Sequence, residues 1–157
     1  MEKERLGLSA RLSLKAFLPV LLLLWSCSMP RVVVLEDPLS AFEHNELGVI
    51  YERSGKIDLA RKEYLKAAQK DASWPVPLFN LGNLAYAQGG LNRAERFYRQ
   101  CLALDGTNAD AMNNLAHVLH EMGQDIEALE LIDRALAVER RPEYLSTYEA
   151  ITGRPAP

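Results

Sequence analysis

The chain has 157 residues, of which 48% are hydrophobic and 25% are charged, and its formal net charge is −3. This length allows one domain with a hydrophobic core and a short appendage. The slight acidic excess, without any basic stripe, gives no electrostatic support for a nucleic-acid partner. The two cysteines, Cys27 and Cys101, are too few for a disulfide scaffold or a zinc site.

Residues 1–26 follow the order of a signal peptide. A short, net-positive stretch, MEKERLGLSARLSLK, precedes the apolar run AFLPVLLLLW and then small polar residues. The apolar run is shorter than the roughly 20 residues that a membrane-spanning helix needs. Pro19 interrupts the run and argues against a buried helix of the domain. We therefore expect a cleaved signal peptide rather than a permanent membrane helix.

Cys27 lies directly after this run. The sequence Leu24-Trp25-Ser26-Cys27 resembles the lipobox of bacterial lipoproteins, in which a leucine lies three positions before the cysteine and a small residue precedes it. Trp25 departs from that pattern. The resemblance implies that Cys27 is acylated, becomes the first mature residue and, with Ser28 after it, anchors the protein at the periplasmic face of the bacterial outer membrane.

The alternative to lipidation is ordinary secretion. Ser26 and Ser28 would then be the small residues of a conventional cleavage site, and Met29 would be the first mature residue. In that case the protein would be periplasmic or secreted, without an anchor.

Residues 27–40 are expected to form a tether, because Pro30, Pro38 and mixed charges argue against a helix. The apolar patch VVVL at residues 32–35 is unusual for a purely solvated linker. We expect it to lie against the domain or to dock on a partner.

Residues 41–140 contain a repeat with a period of 34 residues. The recurring columns hold glycine (Gly55, Gly89, Gly123), leucine (Leu47, Leu81, Leu115) and alanine (Ala60, Ala94, Ala128). This pattern resembles the tetratricopeptide repeat. The resemblance implies an all-α fold, an α-solenoid of three helix pairs at residues 41–74, 75–108 and 109–140. A capping helix and tail are expected at residues 141–157.

Other columns have physical reasons as well. Gly48, Gly82 and Ala116 are expected where the second helix of each repeat crosses close to the first. The glycines of the 34-residue column are expected to end the first helices in a left-handed conformation. Asp58 and Asn92 are candidate N-caps of the second helices.

Three further positions carry local expectations. Cys101 falls in a column with Ala67 and Ala135, so we expect it to be buried in place of an alanine. The pair Asp125-Ile126 inverts the apolar-then-polar order that opens the second helix in the other repeats. Pro142 is expected at the start of the capping helix.

The sequence offers no catalytic, cofactor or metal site. No phosphate-binding glycine loop is present. His117, His120 and Glu121 are the one candidate cluster for a metal, but their spacing matches no zinc-protease signature. Histidines on a polar helix face are more often solvated. An enzyme is therefore not expected.

The resemblance places the first helices along a concave groove. It assigns to this groove a set of residues from all three repeats: Phe42, Asn45, Val49, Glu52, Val76, Phe79, Asn83, Tyr86, Asp110, Asn113, His117 and His120. The aromatic side chains offer large contact areas, and the asparagines can donate to and accept from a peptide backbone. The alternative is that the asparagines are common residues of the repeat and the aromatics pack internally.

The predicted partner is a protein or a peptide segment. Some tetratricopeptide domains hold a C-terminal carboxylate with lysines and an arginine. Those positions here carry Asn45, Val49, Asn113 and His117, so a partner that ends in acidic residues is disfavoured.

We thus expect a membrane-anchored periplasmic adaptor. Known proteins of that design help to assemble pili or secretion machinery, or recruit cell-wall enzymes. The alternatives are a secreted, unanchored scaffold and an accessory domain of a peptidase system. The sequence predicts no oligomeric state.

Overall fold

The computed structural model describes residues 37–156. These residues hold seven helices: α1 (Ala41–Arg53), α2 (Ile57–Lys70), α3 (Val76–Ala87), α4 (Leu91–Leu104), α5 (Ala109–Glu121), α6 (Asp125–Val138) and α7 (Pro142–Thr152). The first six pack as three helix pairs, each second helix also packs on the first helix of the next pair, and α7 packs on α5 and α6. The predicted all-α architecture of three pairs with a capping helix is therefore confirmed. None of the described helices combines the length and apolarity needed to cross a membrane.

The start of the repeat region is fixed by a capping box. The Ser40 side chain accepts a hydrogen bond from the backbone N–H of Glu43, and the Glu43 carboxylate accepts one from the backbone N–H of Ser40. Two of the unpaired donors at the start of α1 are thereby satisfied. Hydrogen bonds from Ser40 lower the pKa of Glu43, because they favour the ionised form.

The turns inside the three repeats are alike. Gly55, Gly89 and Gly123 have φ angles of 71°, 70° and 75°, which is the left-handed conformation predicted for this column. In the first turn, the N–H of Lys56 then bonds back to the carbonyl oxygen of Tyr51 at 2.8 Å. The residue after the glycine therefore closes the first helix.

The same residue also serves as the N-cap of the second helix, and no side chain caps it. The predicted N-caps Asp58 and Asn92 were therefore wrong, since each is the second residue inside its helix. The short turn leaves no room for a separate capping residue. Asp58 instead accepts a hydrogen bond from Arg61.

The two helices of a pair cross most closely at the small residue after the repeated leucine. A Cβ atom added to Gly48 would lie 2.5 Å from the ring of Tyr64, and one added to Gly82 would lie 2.5 Å from the ring of Tyr98. In the third repeat, where the column holds Ala116, the position equivalent to the tyrosines is Ile132. In the third repeat, the first helix thus has alanine in place of glycine, and the second helix has isoleucine in place of the larger tyrosine.

Two single-residue expectations can be compared with the fold. Cys101 is completely buried, as are Ala67 and Ala135 of the same column, so its expected burial is confirmed. Ile126 is 83% exposed, because the inverted pair Asp125-Ile126 puts the isoleucine at a position that is exposed in every repeat.

Helix α7 closes the C-terminal end of the stack. Pro142 is its first residue, as expected. Tyr144 is buried against the core of the third repeat, and its hydroxyl donates to Asp110 at 2.7 Å. Burial and this hydrogen bond raise the pKa of Tyr144 to about 12.

Candidate functional site

The first helices of the repeats form one face of the stack, which we call the inner face. Helix α3 contacts α5, and α5 contacts α7, whereas no two second helices among the described elements pack to this extent. A stack whose first helices approach while its second helices spread apart is concave on the side of the first helices. The predicted groove residues belong to these first helices, α1, α3 and α5.

Amide side chains join neighbouring first helices across this face. Asn80 donates to the Oδ1 atom of Asn45 at 2.9 Å, and Asn114 donates to the Oδ1 atom of Asn83 at 2.9 Å. The Tyr98 hydroxyl also donates to Asn83 at 2.7 Å. Since these oxygens already accept bonds within the fold, part of the hydrogen-bonding capacity expected for a partner is used to hold the repeats together.

A second polar cluster joins α3 to α5. The Tyr86 hydroxyl donates to Glu121 at 2.5 Å, and the Nε2 atom of His117 lies 2.8 Å from the Tyr86 hydroxyl and 3.2 Å from Glu121. The rings of Tyr86 and His117 meet edge to face at 5.5 Å. The hydrogen bond to Glu121, followed by burial, raises the pKa of Tyr86 to about 12. The three side chains thus hold one another in a fixed arrangement.

An exposed apolar patch lies at the start of α1 and α3. The ring of Phe42 stacks on that of Trp74 with 6.2 Å between centroids and 29° between planes. Phe42 remains 62% exposed, and Val76, two residues after Trp74, is also exposed. We call Phe42, Trp74 and Val76 the aromatic edge. Trp74 was missed in the sequence because it lies in the loop between repeats, although a large aromatic before Pro75 was a visible signal.

The remaining predicted groove residues differ in exposure. Asn45 and Asn113 are buried. Val49 and Phe79 are partly buried and pack against the core. His120 is bound to Asp125 at the turn between α5 and α6, with 2.6 Å between Nδ1 and Oδ1.

The carboxylates of the inner face are also engaged. Glu52 accepts the hydroxyl of Tyr64 at 2.6 Å, and Asp110 accepts Arg141 at 2.7 Å. Asn45, Val49, Asn113 and His117, at the positions where some family members hold a carboxylate, carry no lysine or arginine. The inner face is therefore apolar at its edge and mildly acidic along its length.

The two histidines of the candidate metal cluster contact different partners. His117 is bound to Tyr86 and Glu121, whereas His120 is bound to Asp125. Within residues 37–156, no group of three or more histidine, cysteine or acidic side chains is placed to hold a metal ion.

The fold is thus a helical solenoid, and its inner face carries amide, aromatic and acidic side chains. Two sequence models described as tetratricopeptide repeat match residues 85–151 and residues 44–71. The chain therefore contains tetratricopeptide repeats, which confirms the resemblance drawn from the 34-residue period. No curated protein sequence matches this chain.

Solved structures share the fold. The first TPR of Spaghetti (RPAP3), bound to the HSP90 peptide SRMEEVD, has a TM-score of 0.70 and 23% identity and covers 74% of this chain and 94% of its own. The Yersinia enterocolitica type III secretion chaperone SycD, in complex with a peptide of the translocator YopD, has a TM-score of 0.64 and 22% identity and covers 70% and 90%. At such identities the likeness concerns the fold.

Proposed function

We propose that this chain is an adaptor whose inner face binds an extended segment of a partner protein. The observation that supports this most directly is the aromatic edge. Phe42 and Val76 occupy a column whose third member is Asp110, so packing of the repeats does not require an apolar side chain there. Exposed apolar side chains that the fold does not need are typical of binding surfaces.

The chemistry of the face indicates what kind of segment fits. Phe42 and Trp74 offer large, rigid contact areas, and such aromatics often contribute most of the binding energy at interfaces. Glu52 and Glu121 keep the adjoining surface acidic. We therefore expect a segment with at least one large apolar side chain and with neutral or basic flanking residues.

The two solved structures support a peptide ligand, since both contain one. They also sharpen the expectation. The HSP90 peptide SRMEEVD is acidic near its end, and this chain has no cation at Asn45, Val49, Asn113 or His117 to hold such a terminus. The partner segment proposed here belongs to a different class.

The experiment is selection of a phage-displayed random peptide library on the full chain, followed by affinity measurements on the selected peptides. Replacing Phe42 by alanine is expected to weaken binding at least about tenfold, the loss typical of an interface hot spot. Tyr86→Ala is expected to weaken it as well, because this change removes the contacts to His117 and Glu121.

Matched controls lie elsewhere on the surface. Ile126 is also apolar and exposed but lies at the start of α6, and Arg99 is bound to Glu95 and Glu127 on the second helices. Ile126→Ala and Arg99→Ala are expected to keep full affinity. Equal affinity of the Phe42, Tyr86, Ile126 and Arg99 variants, with each fold intact by circular dichroism, would exclude the inner face as the site.

We further propose that a lipid on Cys27 anchors this adaptor to a membrane. The expected location is the periplasmic face of the bacterial outer membrane. Cys27 lies outside the described residues, and the proposal is supported by the lipobox-like sequence that precedes it. Two or more acyl chains give stable anchoring. Residues 28–40 could extend over roughly 40 Å at about 3.3 Å per residue, so the repeats would reach partners away from the bilayer.

A further inference from the structure

Helix α1 is held in the fold differently from the other first helices. Its buried residues are His44, Asn45 and Gly48, and none of these three has an apolar side chain. Helix α5, the equivalent helix of the third repeat, buries Met112 and Leu115 in an apolar cluster that extends to α7. Because burial of apolar side chains is the main source of stability, we expect α1 to be held less strongly than α5.

A buried polar pair joins α1 to α2. The Nδ1 atom of His44 lies 2.7 Å from the Oε2 atom of Glu63, and both residues are buried. The other carboxylate oxygen of Glu63 lies 3.3 Å from the Nζ atom of Lys66. The equivalent positions of the third repeat hold Met112 and Leu131, which are both buried. The first repeat thus has a polar pair where the third repeat has apolar side chains.

We expect the polar pair to contribute less to stability than apolar side chains would at these positions. Removal of the two polar groups from water costs free energy, and their mutual attraction largely serves to offset that cost. Replacement of a buried ion pair by apolar residues of similar volume is therefore often neutral or stabilising. Among the described helices, α1 packs mainly on α2, and α2 packs separately on α3. Release of α1 can therefore leave the contact between α2 and α3 in place.

Release of α1 would dismantle the aromatic edge. Phe42 is the second residue of α1, and its ring stacks on that of Trp74 in the loop after α2. Asn45 of α1 also accepts the hydrogen bond from Asn80 of α3. Both links require α1 to be in place, so only the closed state presents Phe42 beside Trp74.

We propose that α1 opens as one unit while α2–α7 stay folded, and that the His44–Glu63 pair sets how often it opens. Regions of a native protein that are held by few buried apolar contacts open locally at a lower free energy than the whole fold. A partner that binds the aromatic edge selects the closed state. The opening is a property of the free chain, whereas its coupling to a partner rests on the function proposed above.

Hydrogen exchange of the full chain tests the opening without any partner. The slowest amides of α1 are expected to exchange at least about tenfold faster than those of the equivalent helices α3 and α5. Helix α7 is the control for a terminal position, because its Tyr144 is buried in the apolar core, and it is expected to exchange more slowly than α1. Equal rates in α1, α3 and α5 would overturn the proposal. Exchange of α7 as fast as that of α1 would show an effect of position alone and would overturn it as well.

Two variants, each checked for its fold by circular dichroism, test the role of the polar pair. His44→Met combined with Glu63→Leu copies the residues of the third repeat and is expected to slow exchange of α1 about tenfold, with α5 unchanged. His44→Met alone leaves the Glu63 carboxylate buried without its histidine and is expected to speed exchange of α1 at least about tenfold. Exchange of α1 that is as fast in the double variant as in the single variant would contradict the role of the pair.

A peptide selected as described above tests the coupling to a partner. At about ten times its Kd, the peptide is expected to slow exchange of α1 about tenfold, because it binds only the closed state, and to leave local opening of α7 unchanged. Unchanged exchange of α1 with the peptide bound would overturn the coupling and would count against the inner face as the site. The rates measured without peptide decide the opening itself.

Discussion

At the scale of single residues, the glycine after the repeated leucine and the aromatic ring opposite it form one unit. The rings of Tyr64 and Tyr98 occupy the space in which a Cβ atom on Gly48 or Gly82 would lie. Neither partner can be changed alone without a clash or a cavity. The third repeat carries Ala116 and Ile132 at these two positions, and both are completely buried.

This pairing predicts a coupled substitution. Gly82→Ala is expected to lower the free energy of unfolding by about 1–3 kcal/mol, because the added methyl group overlaps the ring of Tyr98. In a Tyr98→Ile background, which copies the pair of the third repeat, the same change is expected to cost much less. Urea unfolding of the four proteins gives the coupling energy. An equal cost of Gly82→Ala in both backgrounds would show that the ring is not the cause.

Cys101 provides a pH-dependent prediction. Burial raises the pKa of its thiol to about 11, so the folded state keeps the proton over a range in which the unfolded state loses it. Stability from this group is therefore present below the unfolded pKa and is lost as the pH rises from about 9 to 11. Cys101→Ala copies the residues at Ala67 and Ala135. Its free energy of unfolding is expected to fall less between pH 8 and pH 10 than that of the wild type, by about 1 kcal/mol.

Thermal unfolding at the two pH values measures this difference. The buried thiol is also expected to resist thiol-reactive labels until the protein unfolds. Rapid labelling of native protein, with Cys27 already replaced by serine, would contradict the burial of Cys101.

At the scale of the helices, α7 covers the end of the last repeat as a capping helix. Tyr144 lies in the core of the third repeat, and Asp110 accepts hydrogen bonds from both Tyr144 and Arg141. The cap therefore combines apolar burial with an anchor on α5.

Removal of residues 141–157 is expected to lower the melting temperature by more than 10 °C or to cause aggregation, because it exposes the apolar face of the last pair. Removal of residues 154–157 alone is the control and is expected to have no effect. Tyr144→Phe keeps the ring and loses the bond to Asp110, at a cost of about 1 kcal/mol. If the protein without residues 141–157 melted at the same temperature as the full-length protein, α7 would not stabilise the stack.

The sequence was informative about these helices for a physical reason. Columns 34 residues apart report packing that each repeat shares, so Gly55 and Cys101 could be placed correctly. Pro142 was placed by the preference of proline for the first turn of a helix. The N-caps at Asp58 and Asn92 were wrong because one residue after each glycine both ends one helix and begins the next. The capping box at Ser40 and Glu43 was available in the sequence as Ser-x-x-Glu and was overlooked.

The inner face was less accessible to such reasoning. Asn45 and Asn83 occupy positions that the repeat assigns to a groove, yet their oxygens accept bonds from the next repeat. The orientation of each amide side chain depends on its partner in the next repeat, 35 residues further on for Asn45 and 31 for Asn83. Comparing residues 34 positions apart cannot reveal such a partner. Trp74 lies between repeats, so its stacking on Phe42 could be found only from the structure.

At the scale of the whole molecule, the proposed anchor and the proposed binding face lie on different parts of the chain. Cys27 precedes the described residues, and the aromatic edge belongs to α1, α3 and the loop between repeats. The two activities can therefore be tested independently of each other.

Cys27 is expected to be acylated and to become the first mature residue. Metabolic labelling with a fatty-acid analogue should mark the wild-type protein and fail to mark Cys27→Ser, which should also leave the membrane fraction. The peptide affinity of Cys27→Ser is expected to equal that of the wild type. A labelled band that persists in Cys27→Ser, or a mature N-terminus at Met29, would contradict the lipid anchor.

The hydrogen bonds that link the repeats join residues close in sequence. Asn80 reaches Asn45, and Tyr86 reaches Glu121, over 35 positions each. Such short separations lower the entropy that the chain loses before its first native contacts form, so the repeats are expected to fold quickly. A helix pair can also acquire its neighbours as soon as the next one emerges during synthesis or export. Under the export proposed above, the chain would then regain its structure from one end without waiting for the other.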